Sequence, residues 1–230
     1  MIASVVGSAL HASAAAATLL TTPLAPQAVL AHYHTALTAL REPSTFTVEY
    51  TLEQTGARAL EQTHRIFRRG NDERDEIIAV NGTHATNPTI RIFRGTPYHY
   101  RVARLAPAAA AYTFTYLGAN RSGRHLEYVF NLAPKGASGD FTLTRVSIDG
   151  LTFLPTMVAF RTSGSAGKGA VTFGKIGTHW VATGASASAR VKGGTANERL
   201  TFSNWRFPAS LPSSTFAVAR PLPQTPAAPG

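Results

Sequence analysis

Apolar residues recur along this chain with two different periods, and the change from one to the other divides it. In "PQAVLAHYHTALTALREP", Val29, Leu30, Tyr33, Leu37 and Leu40 fall on one stripe at i, i+3/i+4 spacing, which predicts an amphipathic helix. Pro26 suits the first turn, and Pro43 forces a stop near Arg41. A helix with a single apolar face must lie on something.

From there on the period is two. "TFTVEYTLEQ" alternates Phe46, Val48, Tyr50 and Leu52 against polar neighbours, the pattern of a half-buried strand. "THRIFRRGNDERDEIIAVNG" reads as two strands joined at Gly70-Asn71. Further strands are expected at 89–95, 97–102, 112–118, 124–132, 141–148, 151–162, 169–176 and 179–192. A last one opens "ERLTFSNWRFPASLPSSTFA", residues 198–217. Turn signals such as "APKGASGD", "GSAGKG" and "KGGTANE" separate them, and "ARLAPAAAAY" (103–112) reads as a short helix or covering loop. One helix followed by many short antiparallel strands is a mainly β (α+β) chain that builds a sandwich, a barrel or a strongly curved sheet.

Length and composition allow a sizeable core: 230 residues, 44% hydrophobic and 15% charged, exclude wholesale disorder. Cysteine is absent, so disulfide staples and cysteine-based metal or redox chemistry are excluded. The net charge of +10 is uneven. Beyond residue 150, Arg161, Lys168, Lys175, Arg190, Lys192, Arg199, Arg206 and Arg220 face one acid, Glu198. Such a surface attracts anionic partners, lipid headgroups and acidic proteins among them. Nucleic acid is not expected, because the cations are scattered without a recognition helix or an aromatic RNA-binding motif. Residues 1–23 are small and apolar with Ala-x-Ala sites such as Ala12–Ala14, although no Lys or Arg precedes Arg41; they read as a signal-like or flexible segment. Residues 24–217 then form one domain, and 218–230 a disordered Pro/Ala tail.

No catalytic signature stands in the chain. "SGSAG" (163–167) is a Gly/Ser turn, since Ser163 occupies the first position of what would need to be Gly-x-Ser-x-Gly. His32 and His34 sit two apart on the helix and cannot chelate one ion together. In "PYHYRV" the two tyrosines share a face opposite His99, as cross-strand packing requires. Asp72, Glu73, Asp75 and Glu76 lie among Arg68, Arg69 and Arg74, which reads as a solvated, self-neutralising turn. Neither a metal nor a cofactor is called for.

Taken in order, several segments resemble the bacterial lipoprotein-carrier (LolA-like) superfamily across about residues 26–217. These are the amphipathic helix before "FTVEYTLEQ" and the basic strand, turn and strand ending in Asn81-Gly82. They also include Asp149, Thr152, Leu154 and Pro155 in "SIDGLTFLPTMVAF", and the closing Phe202-x-Asn204-x-x-Phe207 with its later Leu211-Pro212 and Phe216. The resemblance implies an incomplete antiparallel barrel, covered by the N-terminal helix and a short helix or loop, around an apolar cavity. It also implies an exported, periplasmic or cell-envelope monomer, not an enzyme, that binds acyl chains of lipid or lipoprotein. A sensory or protein-interaction module of the envelope on the same fold is the alternative. On that fold Phe46, Val48, Tyr50, Leu52, Ile66, Ile92, Phe153, Phe160 and Trp205 are candidates for the concave face, opposed by Leu30, Tyr33 and Leu37 of the helix. Leu211 and Phe216 are expected to tuck against the body and cover a free edge left by the last strand.

Overall fold

The computed structural model describes residues 23–217 apart from 58, 123, 124, 138 and 164–166, so the leader and tail expectations lie outside the described residues save for Pro23. Helix α1 spans Pro26–Ala39, with Pro26 in its first turn, and stops at Leu40, a residue before Arg41. The strands follow as β1 (Thr45–Gly56), β2 (Leu60–Arg69), β3 (Asp72–Val80) and β4 (Thr83–Phe93). A one-turn helix, α2 (Val102–Leu105), separates these from β5 (Tyr112–Ser122), β6 (His125–Pro134), β7 (Phe141–Asp149) and β8 (Pro155–Thr162). The last three are β9 (Lys168–Ile176), β10 (His179–Val191) and β11 (Gly194–Arg206).

All eleven strands form one antiparallel sheet in the order β4-β3-β2-β1-β11-β10-β9-β8-β7-β6-β5. Nine of the ten strand pairings join strands consecutive in the chain; the tenth, of β1 with β11 from Thr47↔Arg206 to Gly56↔Ala196, brings the first and last strands together. The sheet is not closed, because β4 and β5 stand at opposite edges. Turn chemistry drives the local hairpins. Asn81 and Gly82 both take positive φ (48° and 76°) in the two-residue β3–β4 connection, the conformation for which Asn-Gly is preferred. Gly70, with φ 57°, begins the β2–β3 turn.

Since β4 and β5 are neighbours in sequence and edges in space, the segment joining them must cross the open side of the sheet. That crossing corrects the expectation of a strand at 97–102. Pro97 lacks an N–H to give a ladder, and residues 94–101 are irregular before α2 begins. The tyrosines still point one way: Tyr98 packs edge-on to Phe46 and to Tyr100, while His99 is exposed. Glu42 anchors the crossing by accepting a hydrogen bond from the Val102 amide at 2.6 Å and another from Arg101 Nε at 3.2 Å. Helix α1 fills the same concave side further along. Val29 is fully buried, the Tyr33 hydroxyl donates to the Pro107 carbonyl at 3.0 Å, and Tyr33 meets Phe114 edge-on.

Two other expectations change. The strand predicted from residue 151 begins only at Pro155. Before it, Asp149 Oδ1 accepts hydrogen bonds from the amides of Leu151 and Thr152 and from the Thr152 hydroxyl, holding a turn in which Phe153 takes φ 55°. The last strand, moreover, is no edge: β11 lies between β1 and β10. Its continuation runs back over the outer face of β2–β4 as a strap. Arg69 donates to the Leu211 carbonyl at 3.3 Å, Arg74 to the Thr215 carbonyl at 3.1 Å and Arg94 to the Phe216 carbonyl at 2.6 Å. Phe216 is fully buried in the 3-10 turn Ser213–Phe216, beneath the Arg69 guanidinium.

At one further point the neighbouring strands β8, β9 and β10 press closely about a glycine. Gly169 stands opposite Phe160, and a Cβ placed there would lie 2.2 Å from the Ser186 carbonyl oxygen and 2.6 Å from the Phe160 ring. The ring covers the bare backbone, so Gly169→Ala should destabilise the fold by about 1–3 kcal/mol as an overpacking change. Phe216→Ala should cost about 3–5 kcal/mol through the cavity it leaves under the strap. Urea unfolding followed by tryptophan fluorescence checks both; an unchanged midpoint in either variant contradicts the packing described.

Candidate functional site

The concave side of β1, β2, β3 and β11 is set by alternation. Phe46, Val48, Tyr50 and Leu52 of β1 stand opposite Arg68, Ile66, His64 and Gln62 of β2, and Tyr50 and Leu52 also face Phe202 and Leu200 of β11. In the next strand Glu73 pairs with Arg68 and Asp75 with Ile66. The crossing segment lies over this surface without filling it. A hollow of about 230 Å³ remains, walled by Tyr50, Ile66, Phe93, Tyr98, Leu200 and Phe202, with Glu73 and Tyr100 at its lining. Phe93 and Leu200 come from strands separated by β3, β2 and β1, so the curl of the sheet makes the site. Larger depressions of about 610 and 650 Å³ mix apolar and charged side chains, Phe160 with Glu53, Lys168 and Arg199 in one, and Phe67, Phe207 and Leu211 with Glu49, Arg65 and Arg206 in the other.

Under the apolar walls runs a buried polar layer. Arg68 is only 2% exposed; it meets Glu73 at 2.6 Å, donates from Nε to the Gly70 carbonyl at 2.8 Å and also to the Thr96 carbonyl of the crossing. His64 Nδ1 lies 2.7 Å from Asp75 Oδ1, both residues being buried, and Tyr50 stacks on the imidazole at 4.5 Å. The reading of the acidic cluster as wholly solvated is therefore corrected. Asp72 and Glu76 meet Arg69, Arg94 and Arg74 outside, whereas strand alternation turns Glu73 and Asp75 inward to Arg68 and His64.

A histidine held by an aspartate can orient a base, but among the described residues no nucleophile is bonded to this one. The other imidazole nitrogen approaches Gln62 Oε1 at 3.4 Å, and a stacked ring covers its face. Its role is to satisfy a buried carboxylate. Among the described residues no three His, Cys, Asp or Glu side chains converge as a metal site would need.

The hydroxyls at the hollow stay protonated. Burial raises the pKa of Tyr98 well above its ordinary value, with Tyr100 and Glu73 adding to the effect, and burial likewise raises those of Tyr50 and Tyr100. The Tyr98 hydroxyl and the Trp205 indole N–H are buried with no hydrogen-bond partner among the described residues. Such groups cost about 1–3 kcal/mol each unless something pairs them.

Of the residues singled out from sequence, Tyr50 and Ile66 wall the hollow, and Phe46 supports it through Tyr98 and Trp205. Val48 is buried in the core beneath. Leu30, Tyr33 and Leu37 pack with α1 on the same core, and Phe153 stacks on His32 at 4.6 Å. Leu52 lies further along the concave face, while Phe160 is occupied with Gly169 and Phe141. Ile92 stands opposite Arg74, whose side chain reaches Thr215, and so belongs to the outer face. Its neighbour Phe93 points into the hollow instead. The alternation in "TIRIF" carries both choices; a register shift in the β3–β4 ladder decides between them.

No family model matches the chain, and no curated protein matches it. Among solved structures it aligns with a LolA superfamily protein from Nitrosomonas europaea (14% identity, TM-score 0.45, 85% of this chain and 99% of that one). It aligns also with a domain named for outer membrane lipoprotein sorting from Vibrio parahaemolyticus (14%, TM-score 0.48, 81% and 95%). A third is a DUF1329 family protein from Desulfovibrio piger (12%, TM-score 0.45, 82% and 97%). In fold, the chain is similar to LolA superfamily proteins. At these identities and TM-scores the likeness does not bear on function, which rests on the chain's own site.

The Arg68–Glu73 pair gives a direct check on that site. Arg68→Met leaves Glu73 buried without its partner and should cost about 3–5 kcal/mol. The double variant Arg68→Met/Glu73→Gln should lose less than the single one, as seen in parallel denaturant titrations. A double variant as unstable as the sum of both singles contradicts the pairing.

Proposed function

We propose that this chain is a non-enzymatic binder of acyl chains, of lipid or lipoprotein, taken into the hollow beneath the β4–β5 crossing. The observation that carries the reading is the hollow itself: an aromatic and aliphatic space on the concave face of an open sheet, roofed by an irregular segment. Burial of apolar surface supplies the affinity, about 0.8 kcal/mol per methylene removed from water. A roof without regular hydrogen-bonded structure can shift to admit a chain more readily than a strand can. The buried charged groups beneath it are paired with one another, Arg68 with Glu73 and His64 with Asp75, which supports a binding role.

Under this reading the protein works as a monomeric domain of about residues 24–217, exported to the periplasm or cell envelope. Among the described residues no helix is long and apolar enough to cross a membrane. The cations of the last strands, Arg161, Lys168, Arg190, Lys192 and Arg199, make an anionic membrane surface or an acidic envelope protein a suitable partner.

One observation favours a second reading, an interaction or sensory module with no transported ligand. The hollow of about 230 Å³ falls below the roughly 300–1,000 Å³ of ordinary small-molecule sites. Native mass spectrometry of protein purified from its own host separates the two. The carrier reading expects a fraction with added mass matching acyl lipid, removed by delipidation and restored by adding lipid. A homogeneous, lipid-free protein that takes up none on incubation would overturn it in favour of the module.

A further inference from the structure

Charge on the outer face of the sheet is unevenly matched. On β2 and β3, Arg65, Arg69 and Arg74 meet Glu49, Asp72 and Glu76. The strands on the far side of β11 are different. Arg161 of β8 stands directly opposite Lys168 of β9, and Lys168 opposite Ser188 of β10, two residues before Arg190. Arg145 of β7 joins the same face through its pairing with Ala159. The intervening Val158 and Phe160 pack on the core, so alternation turns these four cations outward. All four are exposed, and none forms an ion pair with a described residue. Like charges directly opposite destabilise a ladder, so Arg161 beside Lys168 is a cost that an anionic partner would relieve.

Strands β7 and β9 begin where β8 and β10 finish, so Arg161, Lys168 and Arg190 gather at one end of the sheet, with Lys192 in the β10–β11 turn. Two acids stand near them: Asp140, whose carboxylate accepts from the Ser163 hydroxyl at 2.6 Å, and Glu53, opposite Arg199. The same end leaves two large apolar side chains in the open. Val191, between Arg190 and Lys192, is 45% exposed, and Phe141, which opens β7 against Phe160, is 46% exposed. Basic side chains interleaved with protruding apolar ones suit a lipid interface, where the cations meet phosphates and the apolar groups enter the acyl boundary. An acidic protein surface would match the cations and leave Val191 and Phe141 without a purpose.

We infer that this end of the sheet, with Arg161, Lys168, Arg190 and Lys192 around Val191 and Phe141, docks the protein on an anionic lipid bilayer. The inference narrows the anionic partner named above to one class and rests on the acyl-binding reading for what brings the protein to a membrane. The surface itself does not depend on the hollow.

The test floats the full chain with vesicles of phosphatidylcholine alone and of phosphatidylcholine mixed with phosphatidylglycerol. The wild-type protein should bind the mixed vesicles, less well as salt is raised, and leave the neutral ones unbound. Arg190→Gln/Lys192→Gln should weaken binding about 25-fold, at about fivefold per cation near an anionic surface. Val191→Ser, which keeps every charge, should weaken it about threefold. Arg91→Gln/Arg104→Gln removes the same charge from exposed positions elsewhere and should change little. No binding of the wild-type protein to the mixed vesicles overturns this inference and leaves the hollow to the mass measurement above. Vesicle binding by a protein that is lipid-free in that measurement and takes up none overturns the acyl-binding reading alone. An equal loss in both double variants overturns the docking edge, reducing the attraction to net charge. Val191→Ser binding like wild type, with polyglutamate competing as well as the vesicles, overturns it in favour of an acidic protein.

Discussion

The antiparallel pairing of β1 with β11 is the constraint on which the rest of the structure depends. It joins the first strand to the last across most of the described chain, so its closure entropy is met only when the intervening hairpins are in place. Once made, it moves β4 and β5, adjacent in sequence, to opposite edges of one sheet. Their connection then has a single short route, over the concave side. The roof of the hollow is thus a consequence of how the sheet is closed in the middle, and the strap that follows β11 is laid on the outer face for the same reason.

That route explains why charged groups are buried in an otherwise apolar face. A segment crossing a sheet leaves backbone carbonyls facing the core without ladder partners, and buried carbonyls must be paired. Arg68 reaches the Thr96 carbonyl of the crossing, and Glu42 receives the first amide of α2. Arg68, so used, has Glu73 brought inward beside it, and one alternation further along Asp75 meets His64. The polar layer holds the crossing in place, and the hollow is the space left between that layer, the aromatic side chains and the roof.

Much of this was legible in the sequence where the signal is local. The stripe on α1, the alternation in β1, the Gly70 turn and the Asn81-Gly82 hairpin follow from side-chain periodicity and φ preferences over a few residues. The strand misassigned at 97–102 shows the limit: Tyr98 and Tyr100 alternate about an exposed His99 in an irregular segment just as they would in a strand. Ile92 and Phe93 show another. Either could face inward, and a register shift elsewhere in the ladder made the choice.

The sequence by itself determined the kind of elements, most of their turns, and which residues are apolar enough to be buried, because these depend on neighbours a few positions apart. It also contained the arginines and carboxylates of β2 and β3, but as a charge run that solvent could equally have covered. Only the tertiary structure decided that β11 pairs with β1, that Glu73 and Asp75 turn inward, and that Tyr98, Phe93 and Leu200 meet around one space. Those outcomes rest on register and on contacts between strands far apart in the chain. A shift of one residue there exchanges the faces of a whole strand while leaving every local preference unchanged.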